Sequence, residues 1–228
     1  MSDPAVHETE PDPSAPAYDA RYGYREIDAR RYERRRYGSV IRRLNLQRVI
    51  RCILRGLEGV PAGGVVLDAP CGTGILHEPL EARGYKVLGA DISRAMLDVA
   101  RHRATARGWV RADLERPPFR AGSFDAIVCN RFLMHLPSVT RIAVLRALAS
   151  VTRGPLVVTV CHPYTVKSGL RALRRFVGGR AKRSPRLSRA ELQAEVDAAG
   201  LRLTRLIPVI PLLSEIWVVV LERPSAGV

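Results

Sequence analysis

Along this 228-residue chain the spacing of apolar and polar positions changes period again and again. Val65–Leu67 is a short, mostly β-branched run and predicts a buried parallel strand. Ile75–Arg83 repeats at helical spacing and is closed by Gly84, and Lys86–Ala90 is a second strand. Arg94–Arg107 predicts a helix ended by Gly108, Trp109–Ala112 a short third strand, and Phe124–Cys129, after the Pro117-Pro118 loop, a fourth. A helix over about Val139–Val151 and a fifth strand, Pro155–Cys161, follow. Strand and helix alternating in this way imply an α/β, doubly wound, parallel sheet with helices on both faces. Upstream, Val40, Ile41, Leu44, Val49, Ile50, Ile53, Leu54 and Leu57 form a helical stripe that Pro61-Ala-Gly-Gly64 ends. Downstream the rhythm breaks over 162–187, whose centre places Leu170, Leu173, Phe176 and Val177 on one helical face and three arginines mostly opposite. Ser188 with Glu191 is a capping-box signature and opens a helix that runs to Ala199 and stops at Gly200. Two apolar runs, about Leu201–Ile210 and Ile216–Leu221, predict a terminal hairpin at the sheet edge.

This pattern divides the chain into a disordered acidic tail (1–17), an N-terminal cap and helix (18–60) and one α/β domain (61–222) with a basic amphipathic insertion at 162–187. The tail holds four acids and no Lys or Arg, and five of the seven tyrosines fall between Tyr18 and Tyr37. Tyr18, Tyr22, Tyr24 and Tyr37 suit either a lid or ordinary packing. The formal charge of +15 is uneven: residues 21–55 hold twelve arginines against three acids, and 167–189 hold nine Lys or Arg and no acid. Such segments make either a solvated basic face or a site for an anionic partner. No apolar run reaches the roughly 18 residues that cross a bilayer, and the start has no signal-peptide pattern, so the expected location is cytoplasmic. Cys52, Cys71, Cys129 and Cys161 are far apart and predict free thiols rather than a zinc site or a disulfide framework.

The chemistry begins where the first strand ends. Asp68 closes it, and Gly72 and Gly74 permit a tight turn into the next helix. In open α/β sheets that crevice binds ligands. A carboxylate there repels the pyrophosphate that a dinucleotide-binding turn cradles. It suits a ligand with an ammonium group beside a cationic centre, as in S-adenosylmethionine (SAM). Asp91 closes the second strand 23 residues on, at the spacing of an acid that accepts ribose hydroxyls, and Asp113 follows the third strand after 22 more. Asp113 is placed to accept from an adenine amine, with Ile92, Met96 and Leu114 flanking the ring. Any one of these acids would pass for a helix cap or turn residue, but together they share a period.

Val65-Val-Leu-Asp-Ala-Pro-Cys-Gly-Thr-Gly74, Gly89-Ala-Asp-Ile-Ser93, Arg111-Ala-Asp-Leu114 and the run Phe124–Pro137 resemble the class I SAM-dependent methyltransferases, particularly the small-molecule branch related to ubiquinone and menaquinone methyltransferases. The resemblance covers about residues 40–222. It implies a Rossmann-like, seven-stranded sheet, mostly parallel with an antiparallel last strand. It also implies that the Asp68, Ala69, Pro70, Cys71, Gly72, Gly74 loop holds the methionine part of SAM, Asp91 the ribose and Asp113 the adenine. Asn130 and Arg131 would then border the methionine moiety and the acceptor. Pro70 departs from the family's usual glycine and removes an N–H, and the basic insertion has no counterpart.

Methyl transfer from a sulfonium by in-line displacement depends on positioning, and a general base matters only for an acceptor that must lose a proton. His135 is the candidate base, its alternative being a structural place beneath the acceptor pocket; His162 lies on the ligand side as well. The acceptor is expected to be a small molecule or a lipid- or quinone-like one. The insertion over 167–187 adds peripheral contact with an anionic membrane at the inner surface. A nicotinamide-dependent oxidoreductase requires glycine where His77 stands. An RNA- or other polyanion-directed methyltransferase remains the alternative prompted by charge, although Asn130-Arg-Phe-Leu lacks the usual base-amine motif.

Overall fold

The structure, a computed structural model, describes residues 39–103, 108–166 and 186–224. The acidic tail, the tyrosine-rich segment and the centre of the insertion lie outside the described residues. Helix α1 (Val40–Gly56) begins at Ser39, whose side chain accepts from the Arg42 N–H, and buries Val49, Cys52 and Ile53. There follow β1 (Val65–Asp68), α2 (His77–Glu81), β2 (Lys86–Asp91), α3 (Arg94–Arg103), β3 (Trp109–Arg111), β4 (Ala126–Cys129), α4 (Ser138–Val151), β5 (Leu156–Cys161), α5 (Arg189–Ala198), β6 (Arg202–Pro208) and β7 (Ile216–Glu222). A single 3-10 turn, Leu133–His135, separates β4 from α4.

The seven strands form one sheet in the order β3-β2-β1-β4-β5-β7-β6. The five strands from β3 to β5 are parallel, whereas β7 runs antiparallel to both β5 and β6. This is the expected mostly parallel sheet with its terminal hairpin. Alternation within the central strands splits the core in two, as a period of two requires. Leu67, Ile127, Cys129, Leu156 and Val158 face the layer with α4 and α5. Val66, Ala126, Val128 and Val157 face the layer with α1 and α2. The second layer closes tightly at its lower end, where a Cβ on Gly56 would lie 2.9 Å from Val157.

Two elements are shorter than the periodicity predicts. Residues 73–76 form turns, so the helix expected over Ile75–Arg83 is only His77–Glu81. The glycine turn, with Gly72 at φ +54° and Gly74 at φ +73°, uses up the first helical turn. The fourth strand starts at Ala126 rather than Phe124, which makes only an isolated bridge to Thr152. Ser188 and Glu191 form the capping box read from the sequence.

Candidate functional site

The strand order reverses between β1 and β4, and the crevice outside their carboxyl ends is where an open sheet binds its ligand. A cleft of about 1070 Å³ opens there, part of it continuous with solvent. Its floor is the loop after β1. Asp91, at the end of β2, accepts from the Gly72 N–H through Oδ2 (2.9 Å) and from the Ser93 N–H through Oδ1 (2.8 Å). The Gly72 amide, which a dinucleotide-binding turn would offer to a phosphate, is therefore taken by a carboxylate. Burial raises the pKa of Asp91, and its backbone N–H donors hold that rise back. Each oxygen keeps a further lone pair for a hydroxyl donor.

Asp68 contrasts with it. The side chain is buried at the cleft floor, and no described residue donates a hydrogen bond to either oxygen. Burial first, and then the charge of Asp91, lifts its pKa well above the usual carboxylate range. His77 stands beside it, its Nε2 3.8 Å from Oδ2. His77 is fully buried and stacked on Trp109, ring centroids 4.0 Å apart, and burial lowers its pKa to about 4. Because His77 is neutral at ordinary pH, the contact is not an ion pair.

The remaining walls come from three more strand ends. Asp113 follows β3 in an Asx turn, its Oδ1 accepting from the Glu115 N–H at 3.0 Å. Ile92, Met96 and Leu114 line the same side and make it apolar. On the β4 side stand Asn130 and Arg131, with Arg131 in the left-handed region at φ +56°. That backbone is held by β5: the Arg131 N–H donates to Thr159 Oγ1 (2.6 Å), whose hydroxyl donates to Asn130 Oδ1 (3.1 Å). His135 ends the 3-10 turn as an exposed side chain at the rim. Below it, Arg141 donates to the Leu136 carbonyl and forms a two-pronged pair with Glu195 of α5, which also accepts from Ser138.

The structure thus gathers Asp68, Pro70, Cys71, Gly72, Asp91, Ile92, Met96, Asp113, Leu114, Asn130, Arg131 and His135 around one cleft. Two residues expected in the cofactor loop do not line it. Ala69 is buried, its N–H donating to Val128 in the sheet. Gly74 turns away, and a Cβ there would lie 2.8 Å from Trp109. Both act on the loop's path, since a strand end and a positive φ leave no side chain to aim at a ligand. His162 is not at the cleft either. It is buried in a stack with Trp217 (4.2 Å) and accepts from the Tyr164 N–H through Nδ1. Sequence reasoning passed over Thr73, Phe132, Leu136 and His77 in and under the cleft. Of these only His77 carried a signal, as the residue standing where a dinucleotide-binding turn has glycine.

Residues 66–154 match a family described as a methyltransferase domain. Over 99 residues the chain is 36% identical to the ubiquinone biosynthesis O-methyltransferase of Xanthomonas axonopodis pv. citri, covering 41% of this chain and 40% of that protein. It is 31% identical over 147 residues to the magnesium-protoporphyrin O-methyltransferase of Synechocystis sp. PCC 6803, covering 61% of each. The aligned stretch therefore spans about two fifths of the length of the ubiquinone relatives. Among solved structures, the magnesium protoporphyrin IX methyltransferase of Synechocystis PCC 6803 with bound SAH superposes with a TM-score of 0.71 at 22% identity. That match takes in 90% of this chain and 99% of the other.

Proposed function

From the premise that this chain carries a methyltransferase domain of the class I, SAM-dependent type, we propose that it binds SAM in the cleft at the β1–β4 switch and methylates an oxygen of a small-molecule or lipid-like acceptor. The observation that carries the reading is the convergence of Asp68, Asp91 and Asp113, from three successive strand ends, on one apolar-walled cleft. The residues fit the group. Asp68 presents a buried carboxyl group with no donor among the described residues, suited to an ammonium; Asp91 has lone pairs left for ribose hydroxyls; Asp113 lines the cleft with Met96 and Leu114, suited to adenine. SAM, when bound, supplies a methyl group on a cationic sulfur that departs as a neutral thioether. What remains for the protein is orientation and exclusion of water, which together can supply roughly 7–11 kcal/mol.

Asn130 and Arg131, braced by Thr159, border the side on which an acceptor enters. His135, exposed at that rim, takes a proton where the acceptor is a hydroxyl. Acceptors already ionised, such as a carboxylate, need no such base. Titration calorimetry with SAM tests the reading. Asp91→Ala removes both the ribose acceptor and the tie to Gly72, and its affinity should fall at least about 100-fold, as loss of a charged hydrogen-bonding group predicts. Absence of binding by the wild type, or unaltered binding by the variant, would sink it.

Peripheral contact with an anionic membrane is part of the same proposal. The exposed large apolar side chains Tyr164, Val166, Leu212 and Leu213 follow β5 or form the β6–β7 turn, at the carboxyl edge where the cleft opens. The Val166 N–H donates to the Leu212 carbonyl and Arg186 pairs with Glu215 at 3.1 Å, so both flanks of the basic segment start from this edge. Its lysines and arginines supply the charge and the edge supplies apolar contact. Flotation with vesicles of anionic lipid, but not of neutral lipid, is the expected result. Binding that survives deletion of residues 167–185 together with Leu212→Ser and Leu213→Ser would refute it. No observation in the structure favours the RNA-directed alternative.

A further inference from the structure

His77 has no part in holding a cofactor as proposed above, yet its neighbours are shaped around it. The imidazole lies flat against Trp109 and 3.8 Å from Asp68, wholly out of solvent. No described residue hydrogen-bonds to either ring nitrogen or to either oxygen of Asp68. The stack fits only because positions 89 and 74 are glycine. A Cβ at 89 would come within 2.5 Å of the Trp109 ring and 2.8 Å of His77 Nε2, and one at 74 within 2.8 Å of Trp109.

The two buried carboxylates beside this stack differ. Asp91 receives N–H groups from Gly72 and Ser93, whereas Asp68 receives none. Two negative charges close together in a buried floor repel, and the carboxyl without donors is the one that burial and this repulsion favour in its protonated form. Burial, and then Asp91, drives Asp68 in that direction, while burial keeps His77 neutral and able to accept. Cys71 and Cys129 also face Asp68; burial, the larger cause, pushes both thiols up, so they stay neutral whichever state Asp68 is in.

We propose that Asp68 keeps its proton before the cofactor binds, that docking of the cofactor's ammonium group against Asp68 expels it, and that His77, packed beside Asp68 without a hydrogen bond to it, is the positioning residue that sets how firmly that proton is held. The proposal rests on the cofactor reading above. On binding, the O–H bond of Asp68 breaks, the proton leaves to solvent, and the carboxylate becomes the counter-ion of the incoming ammonium. Cofactor affinity is then linked to pH through a group that never touches the acceptor.

Titration calorimetry on the full chain with S-adenosylhomocysteine, in buffers of differing ionisation enthalpy, counts the protons released. Between about pH 5 and pH 7 the ligand's own amine stays protonated, so the count reports on the protein. Release should approach one proton per ligand while Asp68 is protonated, with affinity rising about tenfold per pH unit over that range. Methylthioadenosine carries the nucleoside and thioether but no amino acid, and should bind without releasing a proton. Asp68→Asn should abolish release. His77→Gln brings an amide N–H that can donate to the ionised Asp68, which no described residue does in the wild type, so release should move to lower pH by about one unit or more, a change that a purely structural role does not predict. Normal S-adenosylhomocysteine binding without proton exchange, equal release with methylthioadenosine, or an unmoved profile in His77→Gln would each overturn this proposal alone. No binding of S-adenosylhomocysteine would overturn the cofactor reading and this proposal with it. Should His77→Gln fail to fold, the contrast between the two ligands in the wild type decides the matter.

Discussion

The cleft has two sides built by different means. On the β1–β3 side, the three candidate acids sit at a strand end or in the turn that follows. Two of them accept from an N–H two residues on, Asp91 from Ser93 and Asp113 from Glu115, with Asp91 tying back to Gly72 as well. On the β4–β5 side, the supporting contacts are long-range. Arg131 is held in a left-handed conformation by Thr159, 28 residues away, and the turn bearing His135 is fastened through Arg141 to Glu195, 54 residues from it. The first side is a local device repeated along the sheet, and the second depends on the completed fold. A ligand common to many relatives suits the first, because short motifs can carry its whole site. An acceptor that differs between relatives suits the second, where a change in a distant helix resets the pocket.

If that division is real, the largest effect should come from cutting the long-range fastening. Arg141 and Glu195 are both buried, and Glu195→Ala leaves a buried guanidinium with only the Leu136 carbonyl and strands Ser138 as well. Breaking a buried pair from one side costs about 3–5 kcal/mol. Thermal unfolding should show a marked fall in Tm. S-adenosylhomocysteine affinity measured well below that Tm should stay within about twofold of wild type, because the effects of distant, uncoupled sites add within about 0.5 kcal/mol. A loss of cofactor affinity as large as that of Asp91→Ala would erase the distinction between the two sides.

The converse cut is Gly89→Ala on β2. Its methyl would meet the Trp109 ring and His77 at distances no Cβ tolerates, and the stack beneath Asp68 must shift. Overpacking of this kind costs about 1–3 kcal/mol. Here cofactor affinity should fall along with stability, since the displaced rings support the cleft floor. A stability loss with unaltered S-adenosylhomocysteine binding would show that the Trp109–His77 stack is packing and no more.

The same division explains what could be read from the sequence. Asp68, Asp91 and Asp113 were legible because a strand end is marked locally, by a short strand-like run that stops at or just before an acid. The parallel order and the terminal hairpin followed from element alternation and from two apolar runs around Pro211-Leu-Leu-Ser214. Helix α2 was overestimated because Leu76 and Leu80 keep helical spacing through a glycine turn that is not helical. Arg131 gave no sign of its positive φ, since nothing at position 131 announces Thr159. His162 was read as ligand-side from its place after β5, but Trp217 on β7, 55 residues later, takes up its ring. His77 was noticed only as a departure from glycine, because the partners that give it meaning, Asp68 and Trp109, lie on two different strands.

The smallest effect is expected at the seam between the two sides, at the sheet edge opposite the cleft. Asp125 accepts from the Val65 N–H of β1 at 2.8 Å and from Arg153, just before β5, at 2.7 Å. The Val65 N–H first, and then Arg153, hold its pKa below the usual carboxylate value. A depressed folded-state pKa means that the stabilisation is fully present above the unfolded value near 3.9, and is lost as pH falls through the folded value. Because Arg153 is largely exposed, the pair contributes about 1 kcal/mol or less. Denaturant unfolding of wild type and Asp125→Asn should therefore differ by that amount between about pH 5 and pH 7, and the difference should shrink towards zero as pH falls through the folded value. Cofactor affinity should not follow it, since the seam meets neither side of the cleft. A gap that persisted into acid would mean that the packing of the loop before β4, rather than the charge of Asp125, joins the two halves.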